Sequence, residues 1–402
     1  MISSMFAAVE MAPRDPILGL TEAFNADPRA SKVNLGVGIY YDDSGRIPLL
    51  EAVRRAERAR VDAAPARGYL PIEGFGAYNQ AVQKLLFGPD SPLLADGRVA
   101  TFEALGGTGA LRVGADFLRR LYPQAGVWIS DPSWENHRAL FEAAGFAVQA
   151  YPYYDPATHG LRFDAMLEAL RGLAPRSIVV LHACCHNPTG VDLNAAQWDA
   201  VVATVRERDL VAFLDLAYQG FAEGIDPDAI AVRKFADSGL PFFVSSSFSK
   251  SFSLYGERVG ALSIVTADRD EAARVTSQVK RVIRTNYSNP PTHGAAIVAA
   301  VLTTPELREL WERELSGMRD RIRSMRTGLV QRLRRNGIDQ DFSFVERQRG
   351  MFSYSGLNPK QVERLRDEFG IYAVGTGRIC LAALNSRNID AVAKAMAGVI
   401  KD

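Results

Sequence analysis

Four stretches of this 402-residue chain end in side chains that could share one reaction. Lys250 closes Ser247-Phe-Ser-Lys after an apolar run, where partial loss of water would free its amine to attack an aldehyde. Arg258 follows in Tyr255-Gly-Glu-Arg-Val-Gly, and Ser247 and Ser249 flank the amine, a pattern suited to clamping a phosphate beside an imine-forming lysine. The plain alternative is a solvated surface lysine. Asp215 ends an apolar run in Leu214-Asp-Leu-Ala-Tyr218. Burial would raise its pKa unless a cation held it ionised, and a protonated pyridine nitrogen is such a cation. It serves equally as a turn or helix cap. Asn187 in His186-Asn-Pro-Thr-Gly and Trp134 in Asp131-Pro-Ser-Trp add an amide and an indole.

Gly106-Gly-Thr-Gly-Ala-Leu-Arg opens a helical pattern whose first amides, with the Thr108 hydroxyl, could hold a phosphate or merely cap a helix. It is no dinucleotide fingerprint, because Arg112 stands where the third glycine belongs, and Gly36-Val-Gly38 fails the same test. His182, Cys184, Cys185 and His186 lack zinc spacing, since adjacent cysteines on a strand point apart, so no metal is expected. His137 reads as a structural imidazole placed to support Asp215.

These residues need a scaffold that gathers strand ends. Over 106–266, helical patterns alternate with the apolar runs that start at Val127, Ile178, Val211, Phe242 and Gly260. Unbroken apolar character implies parallel strands covered on both faces, and ligands of such sheets bind beyond the carboxyl ends. Asp215 and Tyr218 can face one ligand only if their strand stops at Asp215. After Pro305, a charge-rich helix is expected over 306–335. Strands near Gly350-Met-Phe-Ser-Tyr-Ser and Arg378-Ile-Cys-Leu-Ala then surround a helix over 359–369, a smaller α+β unit.

The 47 Lys and Arg balance 46 Asp and Glu to a net charge of +1, which offers no basic field for nucleic acid. Three cysteines provide no disulfide framework and suit a reducing, cytoplasmic setting. The first residues lack a basic, apolar signal pattern and read as an arm, and no apolar run approaches the ~20 residues that span a bilayer.

From about Asp15 onward the chain resembles the class I pyridoxal-phosphate aminotransferases, specifically the aspartate and aromatic amino acid subgroup. The resemblance rests on Asn34-Leu-Gly-Val-Gly-Ile-Tyr, Tyr69-Leu-Pro-Ile-Glu-Gly, the Gly106 segment, His186-Asn-Pro-Thr-Gly, Ser247-Phe-Ser-Lys with Arg258, Asn286-Tyr-Ser-Asn-Pro-Pro and Gly377-Arg378. It implies an α/β fold of type I: a mostly parallel seven-stranded sheet with helices on both faces, plus a smaller α+β domain. An arm would cover 1–14, the small domain 15–46 with 316–402, and the large cofactor-binding domain 47–315.

Carried over by residue, the resemblance implies that Lys250 holds pyridoxal phosphate as an imine and shuttles the Cα proton. Asp215 would pair with the pyridinium nitrogen, Tyr218 and Asn187 bond the ring oxygen, and Trp134 stack on the ring. Gly107, Thr108, Ser247, Ser249 and Arg258 would hold the phosphate, joined by Tyr69 from the neighbouring subunit. Arg378 would fork onto the substrate α-carboxylate, with Gly38, Trp134 and Asn187 around it. Arg284 of the other subunit would take a side-chain carboxylate, which makes the enzyme a homodimer with shared sites.

The implied activity is ping-pong transamination of tyrosine, phenylalanine and aspartate with 2-oxoglutarate, through pyridoxamine phosphate. Ile39, Tyr41 and Ile47 resemble aromatic-active members, whereas Thr108 and Asn289 resemble the aspartate type, so an aspartate aminotransferase with minor aromatic activity is the alternative. Two readings from other classes are set aside. The Ser247-x-x-Lys250 tetrad lacks the Lys-Thr-Gly of serine acyl enzymes. A non-catalytic ligand-sensing module would carry a DNA-binding extension that this chain lacks.

Overall fold

The computed structural model describes residues 4–12 and 18–401. The expected arm at 1–14 and the small domain's start at 15 therefore lie partly outside the described residues. Seven strands form the main sheet, in the spatial order Val99–Leu105, Val259–Val265, Phe242–Ser247, Val211–Leu216, Ile178–His182, Val127–Asp131 and Val148–Pro152. The two outermost were not among the five apolar runs. Polar residues interrupt the apolar signal in both: Thr101 and Glu103, buried but hydrogen-bonded, in one, and the exposed Gln149 in the other.

The expectation that all five runs lie parallel fails at Val259–Val265, which is antiparallel to both of its neighbours, with Val259 opposite Leu105 and Gly260 opposite Ser247. A strand buried on both faces has the same apolar composition in either direction.

Alternate residues of the central strands feed two separate cores. Val179, Leu181, Ala212, Leu214 and Val244 face one, with the 31-residue helix Pro305–Arg335. Ile178, Val180, Phe213 and Phe243 face the other, with helices Gly106–Leu121 and Arg269–Asn286. Period-two geometry thus makes the sheet a wall between helical layers.

Helix Pro305–Arg335 begins with proline at its first position, as expected, but Thr304 caps it without a side-chain bond. Its Trp311 stacks on Phe252 and donates its indole N–H to the Ser251 carbonyl at 2.7 Å, buttressing the turn that follows Lys250. Phe352–Tyr354 pairs with Arg378–Cys380, and helix Pro359–Phe369 carries an Asn358/Gln361 capping box. Val33–Asn34 pairs in parallel with Ile371–Tyr372, tying the beginning of the chain to its end. Among the described residues no helix is long and apolar enough to cross a membrane.

Candidate active site

Sheet direction explains why the reactive residues meet. The parallel strands deliver their carboxyl ends to one edge, and the antiparallel strand delivers its beginning there. Arg258, just before Val259, thus joins the residues that follow the other strands. The result is a pocket of about 480 Å³.

Lys250 lies three residues beyond the strand Phe242–Ser247, in a turn. Its Nζ sits 4.8 Å from the centre of the Tyr218 ring. Burial pushes the amine down to about 8; Arg258 and Arg378 assist and Asp215 opposes.

Asp215 lies within the strand Val211–Leu216, which stops one residue later than expected; the chain then turns, and Asp215 and Tyr218 both line the pocket. Burial alone would raise the Asp215 carboxyl. The His137 hydrogen bond, with the nearby His137, His182 and Lys250, outweighs it and holds the group below the ordinary range. That bond spans 2.9 Å from Nε2 to Oδ2, and Ser133 Oγ lies 2.9 Å from the ring's other nitrogen, so the imidazole is fixed from both sides. The support expected of His137 is present.

One end of the pocket is a polar cup. Gly107 and Thr108, in the first turn of the helix Gly106–Leu121, line it, and the first amides of a helix have no partner within the helix and suit an anion. Ser247, Ser249 and Arg258 complete it: Arg258 Nη1 donates to Ser249 Oγ at 3.2 Å, and the two serine hydroxyls lie 3.3 Å apart. A Cβ on Gly107 would come within 3.1 Å of Ser247 Cβ, so a side chain there would crowd the cup.

At the other end is Arg378, only 1% exposed. It donates to Asn187 Oδ1 at 3.1 Å and to the Gly36 carbonyl at 2.6 Å, and lies over the Phe352 ring at 4.3 Å. Its Nε has no partner among the described residues, so the guanidinium keeps donor capacity for a ligand carboxylate. Gly38 allows the close approach of Phe352, whose ring would lie 2.6 Å from a Cβ there. Trp134, at the N-cap of helix Glu135–Ala143, forms the wall beside His137.

Every expected site residue lines this pocket except Tyr69 and Arg284. Tyr69 is 97% exposed, and Arg284 is exposed on its helix with its guanidinium bonded to the Ser288 hydroxyl. Ile39 and Tyr41 line a neighbouring groove, and Val37 borders both spaces. Ile47 is exposed.

Six lining residues escaped the sequence reading as site residues: Val37, Leu111, His182, Ala217, Tyr255 and Phe352. His182 ends the strand Ile178–His182, so the strand-end rule itself pointed to it. Burial pushes it down to about 3, and neither ring nitrogen has a hydrogen-bond partner among the described residues. Tyr255 accepts from the Tyr40 amide at 2.9 Å, a contact that spacing does not announce.

The residues fit a phosphorylated pyridine aldehyde: a buried, ionised carboxylate, an amine of lowered basicity and a helix-capped cup lie in one cavity.

The family model described as aminotransferase class I and II matches residues 30–396. An aspartate aminotransferase of Pseudomonas aeruginosa is 68% identical over 99% of this chain and 100% of its own. An aromatic-amino-acid aminotransferase of Escherichia coli strain K12 is 53% identical over 98% and 100%. The crystal structure of aromatic-amino-acid aminotransferase from Burkholderia pseudomallei, covalently bound to pyridoxal phosphate, shares 71% identity and a TM-score of 0.97, covering 98% of this chain and 99% of that one.

Proposed function

This chain belongs to the class I and II aminotransferases, and we propose that it moves amino groups between aromatic L-amino acids or aspartate and 2-oxoglutarate, with pyridoxal phosphate as cofactor. The observation that carries this reading is the single pocket in which Lys250, Asp215, the polar cup and Arg378 converge. When bound, pyridoxal phosphate supplies the aldehyde that accepts the amino group and the ring that withdraws electrons from the substrate Cα.

The chain's own residues do the rest. Lys250 Nζ, with its lowered basicity, would hold the aldehyde and, once the substrate's amine has taken its place there, would be free to take the proton from Cα. Asp215, held ionised, would keep a proton on the ring nitrogen. Tyr218 and Asn187 would hold the ring oxygen, and Trp134 would cover the ring face. Gly107, Thr108, Ser247, Ser249 and Arg258 anchor the phosphate. Arg378 takes the α-carboxylate as a planar fork, with Gly38 leaving it room. Tyr69 and Arg284 act in the site of a second copy, Tyr69 on the phosphate and Arg284 on a substrate's side-chain carboxylate. Their exposure here supports a homodimer. Residues 15–46 with 316–402 make up the small domain over a large domain of 47–315, and the three free, buried cysteines suit a cytoplasmic setting.

Relatives of both names support dual specificity, and the 68% identical aspartate aminotransferase favours the narrower alternative. Absorption spectra of the cofactor-loaded protein with tyrosine and with aspartate decide. Conversion of the lysine-linked band to the amine-form band is expected with both. Conversion by aspartate alone would make the enzyme an aspartate aminotransferase, and absence of the lysine-linked band would remove Lys250 from its role.

A further inference from the structure

The segment carrying Tyr69 has one buried carboxyl beneath it. Glu103, 3% exposed, lies near the end of the outer strand Val99–Leu105. Its Oε2 accepts from the Phe75 amide at 2.9 Å, and its own amide donates to the Glu73 carbonyl at 3.0 Å. Gly74, at φ +95°, rests on this side chain: a Cβ there would lie 2.3 Å from Glu103 Cβ and 2.7 Å from Oε2. Two further bonds fix the same turn: Asn289 Nδ2 to the Leu70 carbonyl at 3.0 Å, and Asn79 Nδ2 to the Glu73 carbonyl at 2.9 Å.

We propose that Glu103 is a positioning residue for the shared active site: its carboxyl, seated under Gly74 and holding the Phe75 amide, sets the placement of the segment that presents Tyr69 to a second copy. This inference rests on the reading of Tyr69 as a phosphate ligand across the interface.

The clamp is also sensitive to protons. Burial pushes Glu103 from 4.5 up to about 7, and only the Phe75 amide pulls it back. The titratable groups that face it are Tyr78, on helix Gly76–Phe87, and Tyr287, after helix Arg269–Asn286; burial raises both, and the Glu103 charge raises them further. Tyr78 donates to the Gly260 carbonyl and Tyr287 to the Glu103 carbonyl. Beyond them lies the Lys280–Glu73 ion pair, at 2.8 Å. On the antiparallel neighbour strand, Ala261 stands opposite and brings no charge.

A carboxyl raised in the closed clamp prefers its proton there and gives it up when the turn opens to water. Opening is therefore favoured as pH rises from 4.5 toward 7 and levels off above, by about tenfold between pH 6 and 8. In the cofactor-loaded enzyme, hydrogen exchange at the Phe75 amide, corrected for the intrinsic rate, should show that tenfold loss of protection. Glu103→Gln, which keeps the acceptor and loses the titration, should show none. The half-saturating concentration of pyridoxal phosphate, taken as the ratio of wild type to Glu103→Gln, should rise a few-fold over the same range. Superimposable exchange profiles of the two proteins, or a ratio independent of pH, would overturn the proposal. Tyr69→Phe separates the two ideas. If it binds pyridoxal phosphate as tightly as wild type, the Tyr69 reading fails, and Phe75 exchange alone then decides whether Glu103 holds the turn.

Discussion

At the scale of single residues, the site depends on an amine made less basic than its type and a carboxylate kept charged despite burial. These opposite outcomes have a common origin. Burial disfavours charge on both groups, but Asp215 has the fixed His137 hydrogen bond in compensation, while Lys250 has two guanidinium groups nearby that add to its penalty. In the cofactor-free protein, acetylation of Lys250 should therefore follow an apparent pKa near 8, against about 10.4 for ordinary lysines. At pH 8 about half of its amines are unprotonated. Asp215→Asn removes the anion that favours the charged form, so its titration should move lower still. Peptide mapping of acetylation against pH checks both, and a Lys250 that titrates with the surface lysines would refute the assignment. Lys250 and Asp215 were legible because strand-end position and residue type are local properties. Phe352 under Arg378 and Tyr255 beside Tyr40 were not, since each contact is made by segments brought together only by the fold.

At the scale of elements, one reversed strand does much to assemble the phosphate cup. Its apolar residues were evident in sequence, but its direction was not, because burial on both faces erases the alternation that orientation would leave. The reversal puts Arg258 at the site and brings Gly260 against Gly106, where a Cβ on Gly260 would stand 2.3 Å from the Gly106 carbonyl carbon. Gly106, at φ +68°, also donates its amide to the Arg258 carbonyl at 2.9 Å. Gly260→Ala must therefore push the strand and the start of helix Gly106–Leu121 apart. A loss of about 1–3 kcal/mol in urea unfolding is expected, together with weaker retention of pyridoxal phosphate on dialysis. Unchanged values for both would mean that the cup tolerates the shift, and that its geometry is not set by this glycine contact.

At the scale of the whole molecule, the single chain leaves exposed the two side chains proposed to act across an interface, and with them four apolar residues near its start. Tyr69 and Arg284 are exposed and do not line their own chain's pocket, and Met5, Phe6, Val9 and Met11 are exposed as well. Residues proposed for an interface look like surface residues in one chain, so composition and spacing could not mark them; only the resemblance did. If each site needs Arg284 from a second copy, two damaged chains can repair one another. Lys250→Ala lacks the amine in every site of its own dimer, and Arg284→Ala lacks the carboxylate clamp for aspartate in every site of its own. Dissociated and reassociated together, about half of the dimers become mixed, each with one complete site and one doubly deficient site. Aspartate turnover should then recover to about a quarter of the wild-type level, from near zero in either variant alone. Tyrosine carries no second carboxylate, so Arg284→Ala should retain most of its tyrosine activity before mixing. No recovery on mixing, with reassociation verified by differently tagged chains, would mean that each site is complete within one chain.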